Sequence, residues 1–430
     1  MSKNLIAAAV AAAFLGAPLS AIAGEAELLQ KIEKLAAELQ QLKAELSAGA
    51  KKTEAVEQRQ QQLSAAVAAA PAGNAGVGPN TVLTGYGEVN YNRPRHDTSA
   101  AQTDVRRVVI GVQHRFDDKT KVVGEFEWEH AVTSADDAGE AAVEQVYVER
   151  QFDNGLRGKA GLFLMPVGLL NANHEPTAFY GVERNFVETA IIPTTWREAG
   201  VGLSGEFGNG FSWDAGITTG FDLSKWDPAS TEGRDESPLG SVHQEGMLAK
   251  SRNLSAHGAL NWRGVPGLLL GGSLFTGKAG HKTPGMSELD DSRIAVYDLH
   301  ARYTPGLWDL SALYARGTIS HTERFNLLNT GAPGPIPKAF AGWYAQAAYQ
   351  LLKSGDYTLS PFVRYEQFNT AKSFAGVAPG TGVATGPDEK VTTVGANLRI
   401  GEGVVVKADY QKFRENNLRD RLNLGVGFSY

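Results

Sequence analysis

The stretch that decides the fold is Thr120–Ala131, TKVVGEFEWEHA, in which apolar and acidic side chains alternate. One face of an extended strand there carries Val122, Gly124, Phe126 and Trp128, and the other face carries Glu125, Glu127 and Glu129. Successive side chains of a strand point to opposite faces, and three carboxylates on one face require water. The stretch therefore predicts a strand with one face in an apolar medium and the other in water.

The same two-residue rhythm continues to the end of the chain. In the last stretch the apolar face is Leu422, Leu424, Val426, Phe428 and Tyr430, and the polar face is Arg421, Asn423, Gly425, Gly427 and Ser429. Such alternation over segments of about 10 residues is typical of strands that cross an outer membrane around an aqueous lumen. We therefore predict an all-β transmembrane barrel over residues 81–430.

The strand count follows from the rhythm and from the links between strands. We predict sixteen antiparallel strands, near 82–91, 104–116, 120–131, 141–152, 156–166, 198–207, 211–222, 252–263, 267–277, 293–303, 307–317, 339–351, 357–368, 390–400, 404–413 and 419–430. Every second link is short and turn-like, for example Asp153-Asn154-Gly155, as expected of periplasmic turns. An even count places both ends of the barrel on the periplasmic side.

Composition excludes several classes of function. The 430 residues include 49 Gly and no Cys, and 41 basic against 47 acidic residues give a formal charge of -6. A nucleic-acid binder would carry a basic excess, and without Cys there is neither a disulfide framework nor a thiolate site. The nine His show no metal-ligand spacing. We expect no enzymatic activity, no metal and no cofactor.

The N-terminal region has three parts. Residues 1–23 have the charged start, apolar run and Ala21-Ile22-Ala23 box of a signal peptide; the alternative is a membrane anchor. Residues 24–70 predict a short periplasmic coiled-coil helix, with Leu28, Ile32, Leu35, Leu39, Leu42 and Leu46 in an a/d rhythm. We expect it to assemble as a trimer, and the alternative is a solvated amphipathic helix. Residues 71–80 predict a linker rich in Pro and Gly.

Two segments carry a resemblance to a known family. Residues 161–166, GLFLMP, are one, and the other runs from His174-Glu175-Pro176 through Tyr180–Thr189 to Thr194–Gly202. Together they resemble the phosphate-selective porin O/P family over roughly residues 80–430. The resemblance implies a sixteen-stranded, trimeric outer-membrane porin, which agrees with the count made from the strands.

The longest link between predicted strands, Val167 to Arg197, is the candidate for channel selectivity. A lumen sixteen strands wide is open unless something narrows it, and long loops are commonly functional. We predict that this loop folds inward as a constriction. The alternative is a surface loop at the trimer interface. Its candidate selectivity residues are Glu175, Glu183, Arg184, Glu188 and Arg197.

The inward faces of the strands supply the candidate channel lining. The principal candidates are Arg107, Arg115, Glu125, Glu127, Glu129, Arg157, Lys159, Arg399, Lys407 and Arg421. The resemblance implies a ladder of bases that favours oxyanions, but by register the lumen carries bases and acids in equal number. Acids concentrate on the third and fourth strands, whereas bases lead on the second, fifth and last. This segregation predicts a field across the pore rather than a uniformly basic channel.

These features predict passive diffusion of small hydrophilic, charged solutes, with anions such as phosphate as one option, through a channel in the bacterial outer membrane. The alternative is a structural barrel whose coiled coil contacts the cell wall. The expected partners are the lipid bilayer and lipopolysaccharide, two further copies of the chain, and the barrel-assembly machinery through the C-terminal strand ending at Tyr430.

Overall fold

The computed structural model describes residues 80–377 and 385–430, whose strands form one antiparallel sheet. The strands are β1 Thr81–Pro94, β2 Gln102–Arg115, β3 Thr120–Glu129, β4 Glu140–Gln151, β5 Arg157–Leu164, β6 Arg197–Phe207, β7 Phe211–Thr218, β8 Ser255–Val265, β9 Leu268–Lys278, β10 Arg293–Tyr303, β11 Trp308–Ser320, β12 Pro337–Tyr349, β13 Leu352–Ser354, β14 Tyr357–Phe374, β15 Glu389–Ile400, β16 Val404–Phe413 and β17 Arg421–Ser429.

The sheet is a closed barrel. Both β12 and β13 pair with β14, so they are two segments of one strand, and the described residues contain sixteen crossing strands. β1 pairs with β2 on one side and with β17 on the other. This pairing leaves no open edge for lipid to meet, and the predicted sixteen-stranded barrel is confirmed.

Within residues 80–377 and 385–430, helical structure is confined to the loops. This part of the chain has two short α-helices, α1 Glu232–Asp235 and α2 Glu323–Leu328, and one π-helical turn, Val187–Ile191. Single 3₁₀ turns lie at Thr98–Ala100, Gly208–Gly210, Leu223–Lys225, Gly240–Val242, Ser287–Leu289 and Asn417–Arg419. In the described part of the chain, no helix has the length and apolar character needed to cross a membrane. The predicted signal peptide, coiled coil and all but the last residue of the linker lie outside the described residues.

The alternation of side chains has the orientation that the sequence predicts. Trp128 is 43% exposed on the outer wall, whereas its neighbour Glu127 is 5% exposed and faces inward. In β17 Leu424 and Val426 lie outside and Asn423 is fully buried inside. Apolar side chains therefore cover the outer wall, as hydrocarbon requires.

The links differ between the two ends of the barrel. At one end tight turns contain glycines with positive φ, which other residues adopt at a cost: Gly155, Gly210, Gly267, Gly306, Gly355 and Gly401. The opposite end carries the long loops, which marks it as the external end. The predicted strand 211–222 stops at Thr218, because Phe221 turns into the loop core and packs on Trp196, with ring centroids 5.0 Å apart.

Candidate channel constriction

The long loop, residues 165–196, lies between the end of β5 and the start of β6. It contacts inward-facing side chains on distant strands, including Tyr86 on β1, Tyr344 on β12 and Asp409 on β16. A segment that reaches opposite sides of the wall must cross the lumen. The loop therefore lies inside the barrel, in the position that a constriction requires.

Carboxylates of the barrel wall accept hydrogen bonds from the backbone of the long loop. The three contacts are Gly168 N to Asp298 Oδ2 at 3.1 Å, Val182 N to Asp409 Oδ2 at 2.6 Å and Phe186 N to Glu366 Oε2 at 2.7 Å. Hydrogen bonds to charged acceptors are among the stronger ones in proteins. These acids therefore fasten the loop, and they are not free to attract cations from solution.

Glu188 is a structural residue of the long loop. Its carboxylate is buried and accepts from Leu169 N at 2.6 Å, Leu170 N at 2.7 Å, Asn185 Nδ2 at 2.8 Å and Tyr344 Oη at 3.0 Å. Burial raises the pKa of Glu188 above its usual range, although these hydrogen bonds act in the opposite direction. The residue joins both limbs of the loop and does not face the channel.

Arg184 also holds the loop together. Its guanidinium donates hydrogen bonds to Thr195 Oγ1 at 2.9 Å, to His174 O at 3.2 Å and to the hydroxyl of Thr194. Glu183 is half-buried and accepts from Asn92 Nδ2 at 3.0 Å and Asn90 Nδ2 at 3.3 Å on β1.

The other two candidates of the loop lie apart from this group. Glu175 is exposed. Arg197 is the first residue of β6 and pairs with Glu245 of the next external loop at 3.1 Å. The five predicted selectivity residues therefore do not form one cluster.

A buried cluster that the sequence did not indicate fixes the long loop to β1 and β4. His174 Nε2 lies 2.7 Å from Tyr86 Oη and 2.5 Å from Glu144 Oε1, and all three side chains are buried. Strict alternation from Glu149 would turn Glu144 outward. A register shift opposite Glu125 and Phe126 turns Glu144 inward instead, and the sequence carries no signal of that bulge.

Arg107 forms ion pairs with acids of the two neighbouring strands. Its guanidinium pairs with Glu88 at 3.1 Å, Glu127 at 2.8 Å and Glu129 at 3.0 Å. The base of β2 and the acids of β1 and β3 are therefore direct partners on adjacent strands, and the one guanidinium offsets only one of the three negative charges. Glu125 accepts from Gln145 Nε2 at 2.5 Å.

The remaining lining candidates divide into bound and exposed bases. Lys159 pairs with Asp214 at 2.9 Å, and Lys407 is buried, donates to Gly181 O at 2.9 Å and lies 3.6 Å from the centre of the Phe179 ring. The other four bases remain in contact with water. Arg115 and Arg157 are exposed at the periplasmic ends of β2 and β5. Arg399 is exposed and donates to Thr177 O at 2.7 Å, and Arg421 is half-buried and donates to Gln411.

Two cavities lie on either side of Phe179. The periplasmic cavity, of about 510 Å³, lies between the long loop and the inner wall near the turn at Gly306. The external cavity, of about 190 Å³, lies between the loop, β1 and β2. Phe179 lines both, so this ring lies between the two cavities.

Comparison with known proteins identifies the family. The model of the phosphate-selective porin O and P family matches residues 81–417. The chain belongs to this family. An uncharacterised protein of Aquifex aeolicus is 31% identical over 340 residues, which cover 76% of this chain and 74% of the relative.

A solved porin structure has the same fold as this chain, and a second one is similar to it. The OmpF of Salmonella typhi, solved with daunomycin, has a TM-score of 0.55 at 14% identity, covering 81% of this chain and 97% of that one. The outer-membrane channel DcaP of Acinetobacter baumannii has a TM-score of 0.48 at 13% identity, with 81% and 97% covered. The family and the fold are those of outer-membrane channels.

Both cavities of this porin contain more bases than acids. Arg302, Lys353, Arg399 and Asp309 line the periplasmic cavity, with Arg302 bound to Asp309 at 2.6 Å. Arg106, Arg107, Arg184, Arg421, Glu88 and Glu183 line the external one. Across residues 80–377 and 385–430, no group of three or more His, Asp or Glu side chains is placed to hold a metal ion.

Proposed function

We propose that this porin passes small anions, with phosphate among them, by passive diffusion through its water-filled lumen. The proposal rests on the contacts made by the acidic side chains of the inner wall. Asp298, Asp409 and Glu366 accept from the backbone of the long loop, and Arg107 binds three glutamates. With these acids held in the fold, the described residues that line the two cavities include seven bases and three acids, and this local excess of bases favours anions.

Arg399 and Lys353 are the bases best placed to attract anions. Both are exposed and line the periplasmic cavity, where Asp309, the one acid among the described lining residues, already binds Arg302. A guanidinium can form a forked pair with an oxyanion, and an ammonium acts as a compact point charge. Ions would meet these two groups within the lumen, close to the polar wall residues Asn397 and Ser360.

Reversal potentials across planar bilayers in a potassium chloride gradient test the proposal. We expect anion preference in the native chain, and a shift toward cations in Arg399→Gln/Lys353→Gln. Removing one unit charge about 4 Å from an ion in water changes its energy by about 1 kcal/mol, or about fivefold in permeability ratio. Arg150→Gln is the matched control, because this exposed base lies on the outer wall at the same end. Cation preference in the native channel would contradict the proposal.

We propose a homotrimer in the outer membrane, with residues 24–70 forming a periplasmic coiled coil and the strand ending at Tyr430 entering the barrel-assembly machinery. Light scattering in detergent on the full chain and on a chain lacking residues 25–70 tests the role of the helix. A smaller assembly in the truncated chain would support it. Unchanged assembly and conductance with an altered cell envelope would favour the cell-wall contact instead.

A further inference from the structure

An apolar depression lies on the outer wall between β7 and β10. Its volume is about 710 Å³, and Gly258 and Gly272 leave its floor without side chains. The apolar side chains around it are Trp213, Leu260, Trp262, Leu274, Tyr297 and Leu299. Because this wall faces hydrocarbon, the depression has the shape and surface to accept an acyl chain.

Polar and cationic side chains lie directly above the depression, toward the external end. Three successive outward rows cross β9, β10 and β11. From the depression upward they are Leu274, Tyr297 and Arg316, then Thr276, Ala295 and Thr318, and then Lys278, Arg293 and Ser320. The lowest row is apolar except for Arg316, and the rows above it carry hydroxyls and cations over about 14 Å, the rise of four residues along a strand.

The cations of these rows are largely unneutralised. Lys278 pairs with Asp291 at 2.9 Å, and both groups are solvent-exposed. Arg293 is exposed and reaches Thr276 Oγ1 at 3.4 Å. Arg316 makes no ion pair or side-chain hydrogen bond within the described residues, although an outward arginine at this level has to desolvate in part. A bound anion would supply the missing partner.

The level of the cluster matches the boundary of the membrane. Tyr297 and Tyr314 lie beside each other on the outer wall, with ring centroids 6.2 Å apart, and Trp343 pairs with Tyr365 at 5.5 Å. Aromatic girdles of this kind mark the interface between hydrocarbon and head groups. Arg316 is the cross-strand neighbour of Tyr297, so its guanidinium can extend to the level of the head groups.

We propose that the outer face of β9–β11 binds a phosphorylated lipid of the external leaflet, with its phosphate at Arg316, Arg293 and Lys278 and an acyl chain in the depression. The inference rests on the membrane placement of the barrel and is independent of ion selectivity. A lipid fits better than a second copy of the chain, because the surface is apolar at hydrocarbon depth and its cations begin with Arg316 at the upper edge of the depression and continue above it with Lys278 and Arg293. The hydroxyls of Thr276, Thr318 and Ser320 would bind the polar head group.

Native mass spectrometry of the full chain in detergent, titrated with diphosphorylated lipid A, tests the cationic half. We expect Arg293→Gln/Arg316→Gln to bind at least tenfold more weakly. Lys412→Gln is the matched control, because Lys412 is an exposed outward base near the external end of β16. Millimolar inorganic phosphate should not displace the lipid, since it cannot fill the depression. Equal binding by the double variant and the native chain, or displacement by free phosphate, would overturn the proposal.

Gly258→Leu tests the apolar half. An added Cβ at Gly258 meets no heavy atom closer than 4.0 Å, so the substitution fills the depression without disturbing the wall. We expect weaker lipid A binding with an unchanged reversal potential and unchanged oligomeric state. Loss of the oligomer in this variant would show that a second copy covers the depression, and unchanged lipid binding would show that no acyl chain occupies it; either result would overturn the proposal.

Discussion

The external and periplasmic cavities differ in how their bases are held. In the external cavity, Arg107 is buried against three glutamates and Arg184 is buried within the long loop. In the periplasmic cavity, Arg399 and Lys353 are exposed. Bases of the same kind on the same inner wall thus serve the fold on one side of Phe179 and remain available to solutes on the other. Alternation identifies an inward base, but only its partners decide its role.

The largest expected effect comes from Arg107→Gln. The substitution leaves Glu88 and Glu127 buried without their cation, and breaking a buried pair in this way costs about 3–5 kcal/mol. We expect the free energy of unfolding to fall by that amount in urea titrations of the folded protein in detergent. Arg157→Gln, at an exposed position on β5, should leave the midpoint unchanged. A native midpoint in Arg107→Gln would mean that the external bases are not structural.

Glu188→Gln should have the next largest effect. Glutamine keeps one acceptor but loses the charge that four donors share, and a hydrogen bond to a charged group contributes about 1.5–3 kcal/mol. We expect a loosened long loop, measured as larger fluctuations of the single-channel current. Glu175→Gln is the control, since Glu175 is exposed in the same loop. Current fluctuations of native size in Glu188→Gln would show that this carboxylate does not stabilise the loop.

The sequence predicts the barrel but only part of the candidate constriction. The alternation around Trp128 and Glu127 specifies which face of the strand meets hydrocarbon and which meets water, and the short turns specify the periplasmic end. The long loop is visible as a gap in that rhythm. The contacts that hold the loop against the wall cannot be predicted from the sequence, because the donors Gly168 N and Phe186 N are backbone groups that the side-chain pattern does not show. The bulge that turns Glu144 inward depends on pairing between strands.

Phe179→Leu tests whether the Phe179 ring separates the two cavities. Leucine is smaller, and it removes the ring over which the Lys407 ammonium lies at 3.6 Å, a contact worth about 0.5–2 kcal/mol. We expect a larger single-channel conductance because the two cavities then join more widely. The reversal potential should change little, since the lining bases remain. Ala178→Gly, at the neighbouring half-buried position, controls for loop disturbance, and native conductance in Phe179→Leu would place the narrowest point elsewhere.

Arg106→Gln should have the smallest effect and tests the comparison most directly. Arg106 lines the external cavity but lies 3.9 Å from Asp104, with 37% of its side chain exposed. Such an exposed pair is weak, and losing its base should change the anion to cation permeability ratio by no more than about twofold, or about 0.5 kcal/mol. Among the described residues Arg399 binds a backbone carbonyl and no carboxylate, so Arg399→Gln should shift the ratio further. Equal shifts in the two variants, measured in the same salt gradient, would mean that both cavities select ions and that the number of local partners does not decide which base acts on solutes.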